Sequence, residues 1–381
     1  MTDHKEISKN SYDFAIVGSH FSALLVAYIL SRTFHKKVAI IEPQDFVGGE
    51  DATIKIDNKK LLSHFSKVSA SEQNLDLLHW LATNIEIDIP SDAFEFTPLT
   101  IESGKLIPFV GFGERKFSTI ELFKDFSSSK NYELSSNLDA WTEHLESCFI
   151  GDIYTMAEVT SIEVENGQIK YVAINGSRNL ICENLVYCLP PKSIKKLLPI
   201  DVVSHKSFQR LLKNKSYSQV RLHLLHDQDV IVEKNPFHIL YGGKDDFEPI
   251  VGQFSEINSH LCSLWTCWML TDLIDDHEHL GALLKNIKKQ IKRAYPDLFD
   301  HVEFEKIIVD VDCEGSVSSD VLSKSFANIE GLWLCHSQLV ENTGVIGKIL
   351  AAKQTLEALQ KQLNLKHEEV IIADNNPAPP P

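Results

Sequence analysis

The sequence predicts an α/β protein built on a parallel β-sheet, and three observations support this class. An apolar strand at 14–17, an apolar helical pattern at 22–34 and a second apolar strand at 37–42 follow one another near the start. Continuous apolar strands around one helix are typical of a buried parallel sheet. From residue 154 the chain changes to short strands with turn signals, and alternating patterns return at 217–272. We therefore expect a parallel sheet, a β-meander and a second sheet.

Bulk composition excludes several classes of function. The chain has 381 residues, of which 43% are apolar, and its formal net charge is −16. We expect no nucleic-acid partner, because phosphate binding needs clustered lysine and arginine side chains. The N-terminal segment is polar, and no run approaches the roughly 18 apolar residues of a membrane span. These features predict a soluble, cytoplasmic protein.

The cysteines and the segment "DDHEHL" at 275–280 predict neither disulfides nor a metal site. The seven cysteines are scattered and form no C-x-x-C pair, which favours reduced, buried thiols. The segment offers carboxylate and imidazole ligands, but acids at the start of a helix are favoured by the helix dipole without any metal. We therefore predict no metal site.

The segment "GSHFSA" at 18–23 joins the first strand to the first helix. It nearly matches the dinucleotide-binding pattern G-x-G-x-x-G/A. There the first glycine makes a tight turn, the second lets the pyrophosphate approach, and the third allows close packing of helix on strand. Gly18 and Ala23 fill the first and third positions, whereas His20 stands at the second. Glu42, 24 residues after Gly18, matches the ribose-binding acid expected roughly 20 residues on.

Turn signals and periodicity predict the remaining elements. Asn166-Gly167 and the following "INGSR" are typical of type I′ hairpin turns in a meander that ends at Pro190-Pro191. A long helix is expected at 275–295 and an amphipathic helix near the C-terminus, whereas the tail 366–381 is expected to be disordered. The strand "LCSLWTCWML" favours core packing over a substrate-lining wall.

Four segments, in this order along the chain, resemble the flavin-dependent amine oxidase superfamily, which includes monoamine and polyamine oxidases, protoporphyrinogen oxidases and phytoene desaturases. The first is the β-α-β unit 12–50, and the second is the meander 157–198. The third is the strand 217–225, and the fourth is the strand, loop and helix of 331–359.

The resemblance implies a Rossmann-like FAD-binding domain, made of a parallel sheet and a β-meander, with an inserted α+β substrate domain. The first domain would comprise 1–75, 150–200 and 305–365, and the second 76–149 and 201–304. FAD would bind non-covalently and accept a hydride from a C–N or C–C bond of a small-molecule substrate. No catalytic acid or base stands out.

The resemblance also implies which residues would hold the cofactor. Gly18, Ser19 and Ala23 would line the pyrophosphate turn, and Glu42 would hold the ribose. The remaining positions are Gly48 and Gly49 as the paired glycines after the acid, Val159 beside the adenine, and Gly344, Val345 and Ile346 at a helix N-terminus near the pyrimidine end of the flavin. At such an N-terminus the helix dipole stabilises negative charge.

Three positions depart from the pattern of this superfamily. His20 replaces the second glycine, Glu50 replaces the basic residue after the paired glycines, and His336-Ser337 replaces the Gly-Asp of the late strand. The ring of His20 and the charge of Glu50 would oppose a conventionally placed pyrophosphate. In a second interpretation His20 and His336 face the phosphates as imidazolium ions, which predicts binding that weakens above neutral pH.

These departures leave three functions open. The first is an FAD-dependent oxidoreductase. The second is a cofactor-free pseudo-oxidoreductase that binds a ligand or a protein partner, as the guanine-nucleotide dissociation inhibitors do in a related architecture. The third is an NAD(P)-binding protein, but Glu42 disfavours a 2′-phosphate and the C-terminal motif fits a flavin better.

Overall fold

The structure is a computed structural model. It describes residues 11–87, 93–134, 138–227, 232–233, 235–242, 247–315 and 328–365. The expectations for the N-terminal segment before residue 11 and for the tail 366–381 lie outside the described residues.

Runs of two to four consecutive strands, separated by helices, make up most of the chain after β2. The strands are β1 Ser11–Val17, β2 Val38–Ile41, β3 Lys55–Ile56, β4 Lys59–Lys60, β5 Lys67–Ser69, β6 Ala93–Glu95, β7 Leu99–Glu102, β8 Lys105–Pro108, β9 Lys130–Glu133, β10 Asp152–Tyr154, β11 Val159–Glu165, β12 Gln168–Ile174, β13 Arg178–Tyr187, β14 Ser216–His226, β15 Phe237–Leu240, β16 Ile250–Ile257, β17 His260–Leu270, β18 Val302–Gly315 and β19 Leu332–Leu334. The helices are α1 Phe21–Arg32, α2 Glu72–Ile85, α3 Lys124–Ser127, α4 Leu138–Cys148, α5 His205–Leu212, α6 His277–Ala294 and α7 Gly344–Leu363.

The first sheet has the strand order β10-β2-β1-β13-β12-β11, and β19 pairs with β13. The pairs β1–β2, β1–β13, β2–β10 and β13–β19 are parallel, whereas β12 runs antiparallel to both of its neighbours. Asn166 and Gly167 have φ angles of 53° and 80°, as a type I′ turn requires. The parallel sheet and the meander are therefore confirmed.

Helices cover one face of the first sheet. Phe14 and Ile16 of β1 point into an apolar core shared by α1, α2, α4 and α7. Ala15 and Val17 point to the opposite face and pack against the meander. This alternation follows from the two-residue period of a strand, and burial on both faces explains why β1 and β2 are apolar throughout.

The second sheet has the strand order β18-β14-β17-β16-β15-β7-β8 and packs one face against α6. Asp276 caps α6, because its carboxylate accepts hydrogen bonds of 3.0 Å from the amides of Glu278 and His279. The cap accounts for the acidic start of this helix. A small sheet of β5, β9 and β6 and the hairpin β3–β4 complete the strands.

The domain boundaries that the resemblance implies stay a prediction. Two features of the packing bear on them. Strand β18 pairs along β14 in the second sheet, and α2 and α4 share the apolar core of α1 and α7.

The cysteines of the sequence agree with the prediction of reduced thiols. All seven are free, and only Cys148 is not fully buried. Burial raises the pKa of Cys182 to about 12 and that of Cys262 to about 11. Thiols with such pKa values remain protonated and unreactive near neutral pH.

Candidate functional site

The turn between β1 and α1 has the backbone geometry that the sequence pattern predicts. Gly18 has a φ of +96°, and a Cβ there would lie 3.0 Å from the side chain of Leu189. Only glycine adopts this conformation without strain. Ala23, at the third position of the pattern, is fully buried between helix and sheet.

Glu42 lies at the end of β2, as predicted, but both of its carboxylate oxygens already accept hydrogen bonds. The hydroxyl of Ser19 donates to Oε2 over 2.6 Å, and the amide of Gln44 donates to Oε1 over 2.9 Å. The Ser19 hydroxyl in turn accepts a 2.9 Å bond from the amide of Gly48. Ser19, Glu42 and the paired glycines are therefore brought together in one closed network.

His20 lies inside the turn. Its Nε2 donates to the carbonyl of Cys188, and its Nδ1 has no partner among the described residues. A Cβ on Gly49 would lie 3.8 Å from the Cβ of His20, so the paired-glycine loop passes directly over this residue. The His20 and His336 rings are 5.8 Å apart between centroids, in an edge-to-face arrangement. His20 thus fills space that a second glycine would leave open.

A carboxylate occupies the N-terminus of α1. Asp51, which follows Glu50 in a short 3₁₀ turn, accepts a hydrogen bond of 2.9 Å from the amide of Phe21. Lys348 of α7 donates to the carboxylates of both Glu50 and Asp51. The first amides of a helix and its dipole favour an anion at this position, and here the chain supplies that anion itself.

The charges of this cluster are mutually stabilised. Burial alone would lower the pKa of Lys348, but the carboxylates of Asp51 and Glu50 outweigh burial and raise it above its usual value. Burial alone would raise the pKa of Glu50, but Lys348 lowers it below its usual value. The three side chains therefore form an ionised triad, which we call the Glu50–Asp51–Lys348 triad. Sequence reasoning missed Asp51 and Lys348.

His336 and Ser337 lie beneath the turn and are buried. Burial is the main cause that lowers the pKa of His336 to about 3, with a further contribution from His20. Its Nδ1 accepts a hydrogen bond from the amide of Gln338, which a neutral ring can do and an imidazolium cannot. The Ser337 hydroxyl donates to the carbonyl of Cys313. Burial and the contact with the Gln338 amide therefore favour a neutral His336 ring.

A second carboxylate lies at the N-terminus of α7. Oε1 of Glu314 accepts a hydrogen bond of 3.1 Å from the amide of Gly344, the first residue of that helix. Burial raises the pKa of Glu314 to about 7. Val345 and Ile346 follow in the first turn, so all three residues carried over to this helix start lie together. Val159 lies apart from them, in the apolar core beneath the meander.

A cavity lies between α7 and the second sheet, with about 900 Å³ of space between its lining atoms, part of it open to solvent. At one end, Arg221 contacts Asp310 with an Nε–Oδ2 distance of 2.6 Å and donates to the carbonyl of Ser63 over 3.0 Å. The strand "LCSLWTCWML" contributes to both sides: Trp265 packs in the core, whereas Trp268 lines the cavity. The face that carries Trp268 thus lines a cavity, whereas the sequence favoured core packing for this strand.

The sequence predicts no metal site. Within the described ranges, no group of three or more histidine, cysteine, aspartate or glutamate side chains is placed to hold a metal ion. In the same part of the chain, no helix is long and apolar enough to cross a membrane.

Comparison with known proteins identifies the fold. No protein-family model and no curated protein matches this sequence. An oxidoreductase from Methanosarcina mazei aligns over 91% of this chain and 100% of its own, with a TM-score of 0.66 and 12% identity. The fold of this chain is therefore similar to that of solved oxidoreductases and amine oxidases.

Two solved amine oxidases align over nearly the same share of both chains. Wild-type putrescine oxidase bound to putrescine covers 93% of this chain and 100% of its own, with a TM-score of 0.63 and 11% identity. Cyclohexylamine oxidase from Brevibacterium oxydans IH-35A covers 93% and 100%, with a TM-score of 0.65 and 9% identity. At these identities the likeness concerns the fold.

The residues present do not fit FAD in the position that the resemblance implies. The carboxylate of Asp51 lies at the α1 N-terminus, where a pyrophosphate would bind, and the ring of His20 fills the turn. The oxygens of Glu42 are engaged by Ser19 and Gln44 instead of a ribose. The Phe21 amide and the Glu42 carboxylate are thus each engaged within the chain.

Proposed function

We propose that this chain is a cofactor-free relative of the flavin oxidases, which binds a small organic molecule in the cavity between α7 and the second sheet. The observation that carries the proposal is the hydrogen bond from the Phe21 amide to Asp51, whose carboxylate is also held by Lys348. A pyrophosphate would have to displace a charged, buried ion pair, and breaking such a pair is strongly unfavourable. The proposal also includes a protein partner. The cavity is then the site at which the chain binds its small-molecule ligand.

A second candidate function is an FAD-dependent oxidoreductase that transfers a hydride from a C–N or C–C bond to the flavin. The order of the four resembling segments and the fold shared with putrescine and cyclohexylamine oxidases favour it. His20→Gly separates the candidates. Gained flavin affinity would indicate a decayed cofactor site, whereas lost affinity would show that His20 is a working contact of a bound flavin.

The proposal is tested by an absorbance spectrum from about 300 to 550 nm, the range of flavin absorption. The protein is purified without added cofactor, measured, incubated with excess FAD, passed through gel filtration and measured again. We expect no flavin bands in either spectrum. Retained flavin bands after gel filtration would contradict the proposal and would direct the work to oxidation assays.

A further inference from the structure

A carboxyl oxygen in the cavity lining, Oε2 of Glu314, has neither a hydrogen-bond nor an ion-pair partner among the described residues. Oε2 of Glu314 is buried and receives no hydrogen bond from any described residue, whereas Oε1 is bonded to the Gly344 amide. The whole side chain is buried, with 8% of the residue exposed. A buried carboxyl oxygen without a partner is costly, because it has lost its water without gaining a donor.

The wall of the cavity is aromatic. Phe65 and Phe126 lie edge to face with ring centroids 4.8 Å apart, and Phe126 and Trp268 follow at 5.8 Å. Leu122 and Val345 complete this apolar side. Rows of rings of this kind bind flat or cyclic apolar molecules by burial and by edge-to-face contacts.

We propose that the cavity binds an uncharged, phosphate-free ring compound whose single N–H or O–H group donates a hydrogen bond to Oε2 of Glu314 while its ring packs on Phe65, Phe126 and Trp268. This inference rests on the proposed function and names its ligand class. The donor satisfies the unpaired oxygen of Glu314, and the ring covers the apolar wall.

Phosphate-bearing ligands are disfavoured by the rest of the lining. Glu50 and Asp51 line the same cavity, and Lys348 is already bonded to both. Arg221 is likewise held by Asp310 and by the carbonyl of Ser63. A third cation of the lining, Lys67, donates to the carbonyl of Phe126. Each of these three cations is therefore already engaged by described residues, and an added phosphate would also meet the acids.

The ionisation of Glu314 agrees with an uncharged donor. Its pKa of about 7 shows that burial outweighs the attraction of Lys348, so the carboxyl gains or loses its proton near neutral pH. A hydrogen-bond donor stabilises the ionised form and lowers this pKa. Ligand binding should therefore be accompanied by proton release near pH 7.

The experiment compares ring compounds that differ only in the donor, by calorimetric titration of the full chain. The first pair is indole and 1-methylindole, which tests an N–H donor. The second pair is 2-naphthol and 2-methoxynaphthalene, which tests an O–H donor. We expect at least one donor compound to bind about tenfold more tightly than its methylated partner, as a hydrogen bond to a charged group implies. Equal affinities within both pairs, or no binding by any probe, would overturn the inference.

Glu314→Gln supplies the structural control. The Gly344 amide requires an oxygen acceptor, so the amide group of the new glutamine turns its NH₂ towards the cavity. The preference for the donor compound should disappear in this variant, while Glu330→Gln, on the exposed edge beside Gln168, should retain it. An unchanged preference in Glu314→Gln would contradict the role of Glu314.

The outcome also separates this inference from the proposed function. Binding of FAD by the wild-type chain would refute the proposed function itself. If the chain binds no FAD and binds the donor compounds no more tightly than their methylated partners, only the ligand class would be refuted.

Discussion

The amide of Phe21 donates a 2.9 Å hydrogen bond to the carboxylate of Asp51, so α1 begins against an anion of its own chain. In the superfamily that this fold resembles, a dinucleotide pyrophosphate would bind at that helix start. Glu314 has the same relation to the Gly344 amide at the start of α7. At each of the two helix N-termini that would contact a flavin nucleotide, one amide is thus bonded to a carboxylate of the chain itself.

Lys348 is predicted to be essential for stability, because it compensates two buried carboxylates. Lys348→Met leaves Glu50 and Asp51 without their cation, and breaking a buried ion pair costs about 3–5 kcal/mol. The free energy of unfolding, measured by urea denaturation, should fall by this amount.

Lys353→Met on the same helix is the matched control. Lys353, which is partly exposed, contacts Glu357 at 4.0 Å and lies over the Trp80 ring, and such contacts contribute about 0–1 kcal/mol each. Equal destabilisation by Lys353→Met and Lys348→Met would contradict the importance of the triad.

Ser19→Ala should destabilise the turn that holds the closed network. The Ser19 hydroxyl donates to Glu42 and accepts from the Gly48 amide, so its removal leaves both groups unpaired in a buried site. The expected loss is about 1–3 kcal/mol in a thermal or urea unfolding experiment. Ser31→Ala, which removes only a 3.1 Å bond to the Tyr28 carbonyl, is the control and should change stability by less than about 0.5 kcal/mol.

The pH dependence of stability should carry the signature of Glu314. Its pKa is raised from 4.5 to about 7 in the folded chain. Between these pH values the folded state therefore keeps a proton that the unfolded state has released. The resulting loss in the free energy of unfolding is absent below pH 4.5 and complete above about pH 7.

Glu314→Gln removes this penalty. It should therefore stabilise the protein more at pH 8 than at pH 4.5, by a difference on the order of 3 kcal/mol. Urea titrations at both pH values measure it. We expect the free energy of unfolding of Glu330→Gln to depend on pH in the same way as that of the wild type. The same result for Glu314→Gln would mean that Glu314 ionises normally.

The fold was predictable because its signals are local. The apolar strands around α1 could only be buried in a parallel sheet, and Asn166-Gly167 specified a hairpin. Domain boundaries were less predictable, since pairing between β14 and β18 joins residues that are far apart in the chain. Nothing in the period of β18 indicates which sheet it enters.

The candidate site was only half predictable. The departures at His20 and Glu50 marked the pyrophosphate region, but the sequence could not show what replaces the cofactor there. Asp51 and Lys348 are 297 positions apart and meet only in the folded chain. One signal was present: Lys348 is the single charged residue in the apolar segment "GVIGKILAA", and a lysine buried in such a segment needs a partner.

The most direct test of this account is the affinity for FAD of Asp51→Gly, Asp51→Asn and the wild-type chain, measured by titration. Asp51→Gly frees the Phe21 amide and leaves Lys348 paired with Glu50 alone, whereas Asp51→Asn keeps an oxygen acceptor at the helix start. We expect Asp51→Gly to bind FAD at least about tenfold more tightly than the other two. Tight binding of FAD by the wild type, or equal affinities in all three, would contradict the claim that Asp51 occupies the place of the pyrophosphate.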